Sequence, residues 1–137
     1  MRVAFVRSGF ERQAAMLSAL EQRGHDVRCF EDARKALVAI RSDSAIDMVI
    51  TGALTAPVCG LEVCWEARLI AGEDRPLYIL FVVPTGECTT KIEALDSGAD
   101  ETLDEFSRTE EFHATLCRRR PPITFPAQIT EGRSFEI

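Results

Sequence analysis

Asp47-Met48-Val49-Ile50-Thr51-Gly52-Ala53-Leu54-Thr55-Ala56-Pro57-Val58-Cys59-Gly60-Leu61-Glu62-Val63-Cys64 changes pattern twice within one short span. The apolar run behind Asp47 is continuous rather than alternating, as in a short parallel strand buried on both faces. Pro57 and Gly60 punctuate it, and from Gly60 the apolar residues recur at helical spacing. Strand, loop and helix in this order is the unit on which the rest of the chain is built.

Upstream, Val3 to Val6 is another short apolar run and predicts the first strand. Ser8 and Glu11 have capping-box spacing, and Phe10, Ala14, Leu17 and Leu20 form the expected inward stripe of a helix that Gly24 ends. Val27 to Phe30 predicts the second strand, and Asp32 caps a helix with Ala36, Leu37 and Ile40 inward. Strand three is expected over Asp47 to Thr51, and its helix from Gly60 to Ala71 has Leu61, Cys64, Trp65 and Arg68 at helical spacing. Downstream, Leu77 to Val83 is the longest unbroken apolar run and fits a central strand. The next helix has Cys88, Ile92 and Leu95 as its expected inward stripe. Glu101 to Leu103 predicts a brief fifth strand, and Ser107 with Glu110 marks a last helix carrying Phe112 and Leu116. Five strands alternating with five helices through short loops predict a doubly wound α/β fold, a parallel sheet covered on both faces.

A chain of 137 residues, 46% hydrophobic and 28% charged, holds one domain with a two-sided core and has no room for a second. A net charge of -6 offers no electrostatic footprint for direct nucleic-acid binding. The basic run Arg118-Arg119-Arg120 reads as a solvated helix end. No apolar run nears the roughly 20 residues of a membrane span, and the opening residues turn polar too soon for a signal peptide, so a cytoplasmic location is expected. Cys29, Cys59, Cys64, Cys88 and Cys117 are an odd, scattered set without a Cys-x-x-Cys pair, and with two His they predict packing thiols rather than a metal site or disulfides. No Gly-rich phosphate loop occurs, so no cofactor is expected.

Three stretches, in order, resemble the response-regulator receiver domain: Asp47 to Cys64, Arg75-Pro76-Leu77-Tyr78-Ile79, and Ala94-Leu95-Asp96-Ser97-Gly98-Ala99-Asp100-Glu101. The resemblance covers roughly Arg2 to Arg120 and implies the flavodoxin-like strand order 2-1-3-4-5, three layers α/β/α. It also implies positions for the family's chemistry, and every one departs from the pattern. The acidic pair that holds Mg²⁺ falls on Arg7 and Ser8. The phosphate-accepting aspartate falls on Gly52, or on Thr51 with a slip of one residue. The hydroxyl position is Val83, the switch aromatic is Thr102, the lysine is Glu105 and the following proline is Phe106. Carboxylates hold the hard cation, and cation and lysine neutralise the phosphoryl oxygens. Without them the resemblance implies a degenerate pseudo-receiver that binds no Mg²⁺ and takes up no phosphate, and fold and function separate readily.

Two readings of function follow. The first is a phosphorylation-independent interaction module, the regulatory or dimerising domain of an atypical bacterial response regulator in two-component signal transduction. It would engage a protein partner or a second copy through helix four, strand five and helix five, where Lys91, Asp100, Glu110, Glu111, Arg118 and Arg119 supply mixed charges; the helix-five arginine of the winged-helix regulators falls on Thr115. The alternative is a small-molecule binder or enzyme using the crevice at the carboxyl edge of the sheet. Arg7 and Glu105 are expected to form an ion pair across that edge in place of the metal. Thr51, Thr55 and Thr85 read as turn or capping hydroxyls, and a thiol-imidazole nucleophile from Cys59 or Cys64 with His25 or His113 has little support. Residues 1–120 are expected to form the domain. Pro121, Pro122 and Pro126 then start an extended tail over 121–137, with Ile123, Phe125, Ile129, Phe135 and Ile137, leading towards an output domain.

Overall fold

The computed structural model describes residues 1–8, 13–53, 55–83, 88–105 and 109–118, the side chains at 88–89, 109 and 116–118 excepted. Strands and helices alternate strictly: β1 Arg2–Val6, α1 Gln13–Gln22, β2 Asp26–Phe30, α2 Ala33–Ser42, β3 Met48–Gly52, α3 Gly60–Ala71, β4 Tyr78–Val83, α4 Cys88–Asp96, β5 Glu101–Asp104 and α5 Thr109–Arg118. All strand pairs are parallel and the order is β2-β1-β3-β4-β5, the doubly wound arrangement expected.

The pleat sorts the core into two layers, since successive side chains leave opposite faces of the sheet. On one face Ala4, Val6, Val49, Ile79, Phe81 and Val83 meet α2, α3 and α4. On the other, Val3, Phe5, Met48, Ile50, Leu80, Val82 and Leu103 meet α1 and Phe112 of α5. Every residue of β3 and β4 is buried, which is why both read as unbroken apolar runs. β2 is an edge strand, with Val27 and Phe30 half-buried and Asp26, Arg28 and Cys29 exposed.

Three arginines hold the end of the sheet opposite the strand carboxyl termini. Arg75 donates to the carbonyls of Ile40, Asp43 and Ile46, closing the chain that leads from α2 into β3. Arg68 donates to the carbonyls of Leu77 and Gly98 and to the Asp100 carboxylate, at 2.6 Å for the last. Arg2 joins Asp26 and Asp43, and these carboxylates raise its own pKa. The Asp43 carboxyl is held below its usual range, first by the Ala45 backbone N–H and also by Arg2. Sequence reading passed over these anchors because a long cationic side chain reads as solvated until the carbonyls it reaches are in place.

Several inward stripes are corrected. In α1 Ala14 is exposed and Met16, Ala19 and Leu20 are buried, while Phe10 and Glu11 lie outside the described residues. In α3 the buried residues are Gly60, Val63, Cys64, Ala67 and Ala71, leaving Trp65 56% exposed. In α4 Ala94 is buried, while Ile92 and Leu95 are exposed; the Cys88 side chain is not among those described. Alanines, joined by Ile40, Val63 and Cys64, face the sheet in this layer, while Trp65, Leu69, Ile92 and Leu95 are turned outward. The Asp32 cap stands: its carboxylate accepts the Arg34 N–H at 2.9 Å. Ser107, the Leu116 side chain, Arg119, Arg120 and the whole 121–137 tail lie outside the described residues.

Candidate functional site

The parallel register brings the carboxyl ends of β1, β3, β4 and β5 to one edge. Gly52 pairs with Val82 and Val83 with Asp104, while Arg7 continues β1 by donating its N–H to the Phe30 carbonyl at 2.8 Å. The residues that sequence reasoning assigned to the site, Arg7, Ser8, Gly52, Val83 and Glu105, therefore share that edge. Thr102 lies one pleat below it on β5, opposite Phe81.

The centre of the edge is closed by backbone. Gly52 is buried, and Gly60 opens α3 directly above it, donating its N–H to the Ala53 carbonyl at 3.0 Å. A Cβ added at Gly60 would stand 1.7 Å from the Gly52 carbonyl oxygen, well inside any real contact. The Thr51 hydroxyl is fully buried and donates to that same oxygen at 3.1 Å. Thr55 donates to the Val58 carbonyl at 2.6 Å, a turn-closing role as expected; Thr85 lies outside the described residues.

The flanks differ in sign. On the β1 side Arg7 is exposed, and its charge acts on the Cys29 thiol of β2, which burial nonetheless pushes up. Ser8 is buried with its hydroxyl unpartnered, while its N–H donates to Gln13 Oε1 at 3.0 Å. On the β5 side Asp104 and Glu105 are half-buried, and the Glu105 N–H donates to the Val83 carbonyl. The expected Arg7–Glu105 ion pair is not formed: the ion pairs among the described residues are Arg2 with Asp26 and Asp43, and Arg68 with Asp100. β3 and β4 stand between β1 and β5, and three strand spacings amount to about 14 Å. Arg7 leans the other way, to β2.

Among the described residues neither Cys59 nor Cys64 is paired with an imidazole. Cys59 is exposed at the α3 N-cap, but Cys64 is buried and its pKa is pushed up to about 12 by desolvation. His25 lies between α1 and β2, near the N-terminal ammonium, which stands 3.2 Å from its Nδ1. Burial first, then that ammonium, lower its pKa. Asp100 is exposed, and its carboxylate accepts Arg68 and the Ile79 N–H, the latter at 2.7 Å, so it also brackets α3 to the sheet. Lys91, Glu110 and Glu111 are exposed, as a contact face requires. Thr115 is buried and donates to the Glu111 carbonyl. The Arg118 side chain, Arg119 and Phe106 lie outside the described residues.

This sheet order is shared with solved regulators. A two-component response regulator from Clostridium difficile superposes with TM-score 0.73 at 18% identity, over 87% of this chain and 97% of that one. A CheY-like response regulator receiver domain protein from Methanospirillum hungatei gives 0.72 at 16%, over 85% and 90%. The fold is that of a receiver domain. Among curated proteins, the transcriptional regulatory protein TcrA of Mycobacterium tuberculosis is 28% identical over 134 residues, 96% of this chain and 51% of TcrA. The chain thus spans about half the length of the curated relative it matches. No family model matches it. Within the receiver fold no helix among the described residues is long and apolar enough to cross a membrane.

Proposed function

We propose that the chain is a receiver-type signalling module of a two-component system that works by protein contact, without phosphoryl transfer at its sheet edge. The observation that carries this reading is the buried Gly52, to which the resemblance assigns the accepting carboxylate, with its carbonyl against Gly60. An acyl phosphate needs a carboxylate, and hydroxyl-bearing Thr51 is committed to the backbone in a fully buried site. Arg7 and Ser8 also fit Mg²⁺ poorly, because a cation and a neutral hydroxyl replace the hard carboxylate donors the ion demands.

Without a hydroxyl at Val83 or an aromatic at Thr102, phosphorylation has nothing to move, and the association must be built into the resting state. A ligand without differential affinity for two states shifts neither. The face of α4, β5 and α5, with Lys91, Ile92, Leu95, Glu110 and Glu111 exposed, is where this module meets a protein partner or a second copy. The test is sedimentation equilibrium of the full chain before and after acetyl phosphate with Mg²⁺. The same association constant is expected in both; tighter association after treatment overturns the proposal.

A further inference from the structure

The large exposed apolar residues among the described ones are Val38, Trp65, Leu69, Ile92 and Leu95, and all five belong to α2, α3 and α4. The opposite layer, α1 and α5, contributes none of them. Trp65 and Leu69 lie one helical turn apart on α3, 56% and 64% exposed, so they form one ridge. Val38 lies on α2 and Ile92 on α4, the two helices between which α3 packs. An apolar strip running across three helices on one side marks a contact surface rather than scattered surface residues.

The charges around the strip are sorted. The α2 flank exposes Arg34, Lys35 and Arg41, and no acidic residue lies within the helix. The far flank is mostly acidic: Glu93 and Asp96 of α4 are exposed, with Lys91 as the opposing charge, while Glu62 of α3 is exposed on the central ridge, one turn before Trp65. Arg68 does not offset them, because its guanidinium is committed to Asp100 and the Gly98 carbonyl. Basic flank, apolar centre and acidic flank make the face complementary to itself. A two-fold axis along α3 in the plane of contact lays α2 of one copy on α4 of the other, twice by symmetry.

We infer that the α2–α3–α4 face binds a second copy of this chain, with Trp65 and Leu69 at the centre and the α2 and α4 charges paired across the two-fold. This deepens the interaction-module reading and rests on it: it gives α4, with Lys91, Ile92 and Leu95, to the second copy and leaves the β5 edge and α5 for a different partner. Complementary rim charges set register and orientation, and an aromatic anchor at the centre supplies the affinity.

Trp65 is the only tryptophan, so its emission reports this face directly. In the full chain, dilution from high micromolar to nanomolar concentration should red-shift the emission as Trp65 passes from the contact into water. R34E/R41E and E93R/D96R should each weaken association about tenfold, measured by sedimentation, because each reversal acts at two symmetric places. All four changes together should return it to within about threefold of the unaltered chain, since the pairs are then swapped rather than broken. These positions are exposed, so the fold survives, and the restoration separates a contact from a structural fault. E110K/E111K on α5 should leave association unchanged. A chain that stays monomeric at high micromolar concentration overturns the inference, as do unaltered association in the α2 and α4 variants and failure of the combined variant to restore it. A dimer weakened only by E110K/E111K moves the contact to α5. It overturns the surface assigned here, whereas the reading of the site falls with uptake of a phosphoryl group or with association that tightens after acetyl phosphate.

Discussion

Replacing Gly60 with alanine sets two opposed effects against each other. Gly60 is the first residue of α3, and alanine is the better helix former by about 1 kcal/mol, so propensity alone predicts stabilisation. The structure predicts the reverse. The new Cβ would meet the Gly52 carbonyl oxygen at 1.7 Å, its carbon at 2.7 Å and the Ala53 Cα at 3.1 Å. All three are backbone atoms, so no side chain can swing away; either the β3 end or the start of α3 must move. Overpacking in well-filled cores costs about 1–3 kcal/mol, and a clash against backbone belongs at the upper end or beyond. Movement also strains the bond from the Gly60 N–H to the Ala53 carbonyl.

The net expectation for Gly60→Ala is a loss of about 2 kcal/mol or more, read as a drop in urea midpoint on the order of 1 M. Gly24→Ala serves as the comparison. It has φ of +80 with nothing within 4 Å of a new Cβ, so it should cost only the left-handed strain, about 1–2 kcal/mol. Equilibrium urea unfolding followed by far-ultraviolet circular dichroism gives both values. If Gly60→Ala matches or exceeds the unaltered chain in stability, the close approach that seals the sheet edge is wrong.

Arg75→Ala should cost about 2–3 kcal/mol, because three carbonyls lose their donor at once, and Arg75→Lys should recover only part, since an ammonium lacks the planar fork; thermal unfolding of both variants checks this. Stability should fall as the pH drops below 6.5: with the His25 pKa lowered in the fold, the unfolded chain binds more protons in that window, and the contribution is complete only above it. His113 is lowered in the same direction, so His25→Gln should flatten the dependence in part, and a stability that rises on acidification through this range would contradict the assignment. Cys64 should resist thiol reagents in the native state while Cys29 and Cys59 are labelled, because it is buried with a pKa near 12; mass mapping after brief alkylation decides it.

The elements were legible because β3 and β4 are buried on both faces and show up as continuous apolar residues over 48–50 and 78–83, and the strand order was legible only through the resemblance to receivers. Helix faces were less so. Ile92 and Leu95 were assigned inward for being apolar, but α4 packs by Ala94, as α2 packs by Ala33, Ala36 and Ala39 and α3 by Ala67 and Ala71. Hydrophobicity alone does not say which way a helix turns when alanines share the buried face with a few larger residues such as Ile40 and Val63. The site positions followed from counting along β3 and β5, and the register brings them to one edge. The Arg7–Glu105 pair failed because strand order sets distance, and two strands intervene. The seal at Gly60 left no trace in composition; it follows from the meeting of two backbones.

The claim at the centre of this account is that the sheet edge takes up no phosphoryl group. Intact-mass spectrometry of the full chain after incubation with acetyl phosphate and Mg²⁺ tests it directly. The mass should stay that of the unmodified chain. A stoichiometric phosphoryl adduct that maps to the β3–α3 segment would contradict it.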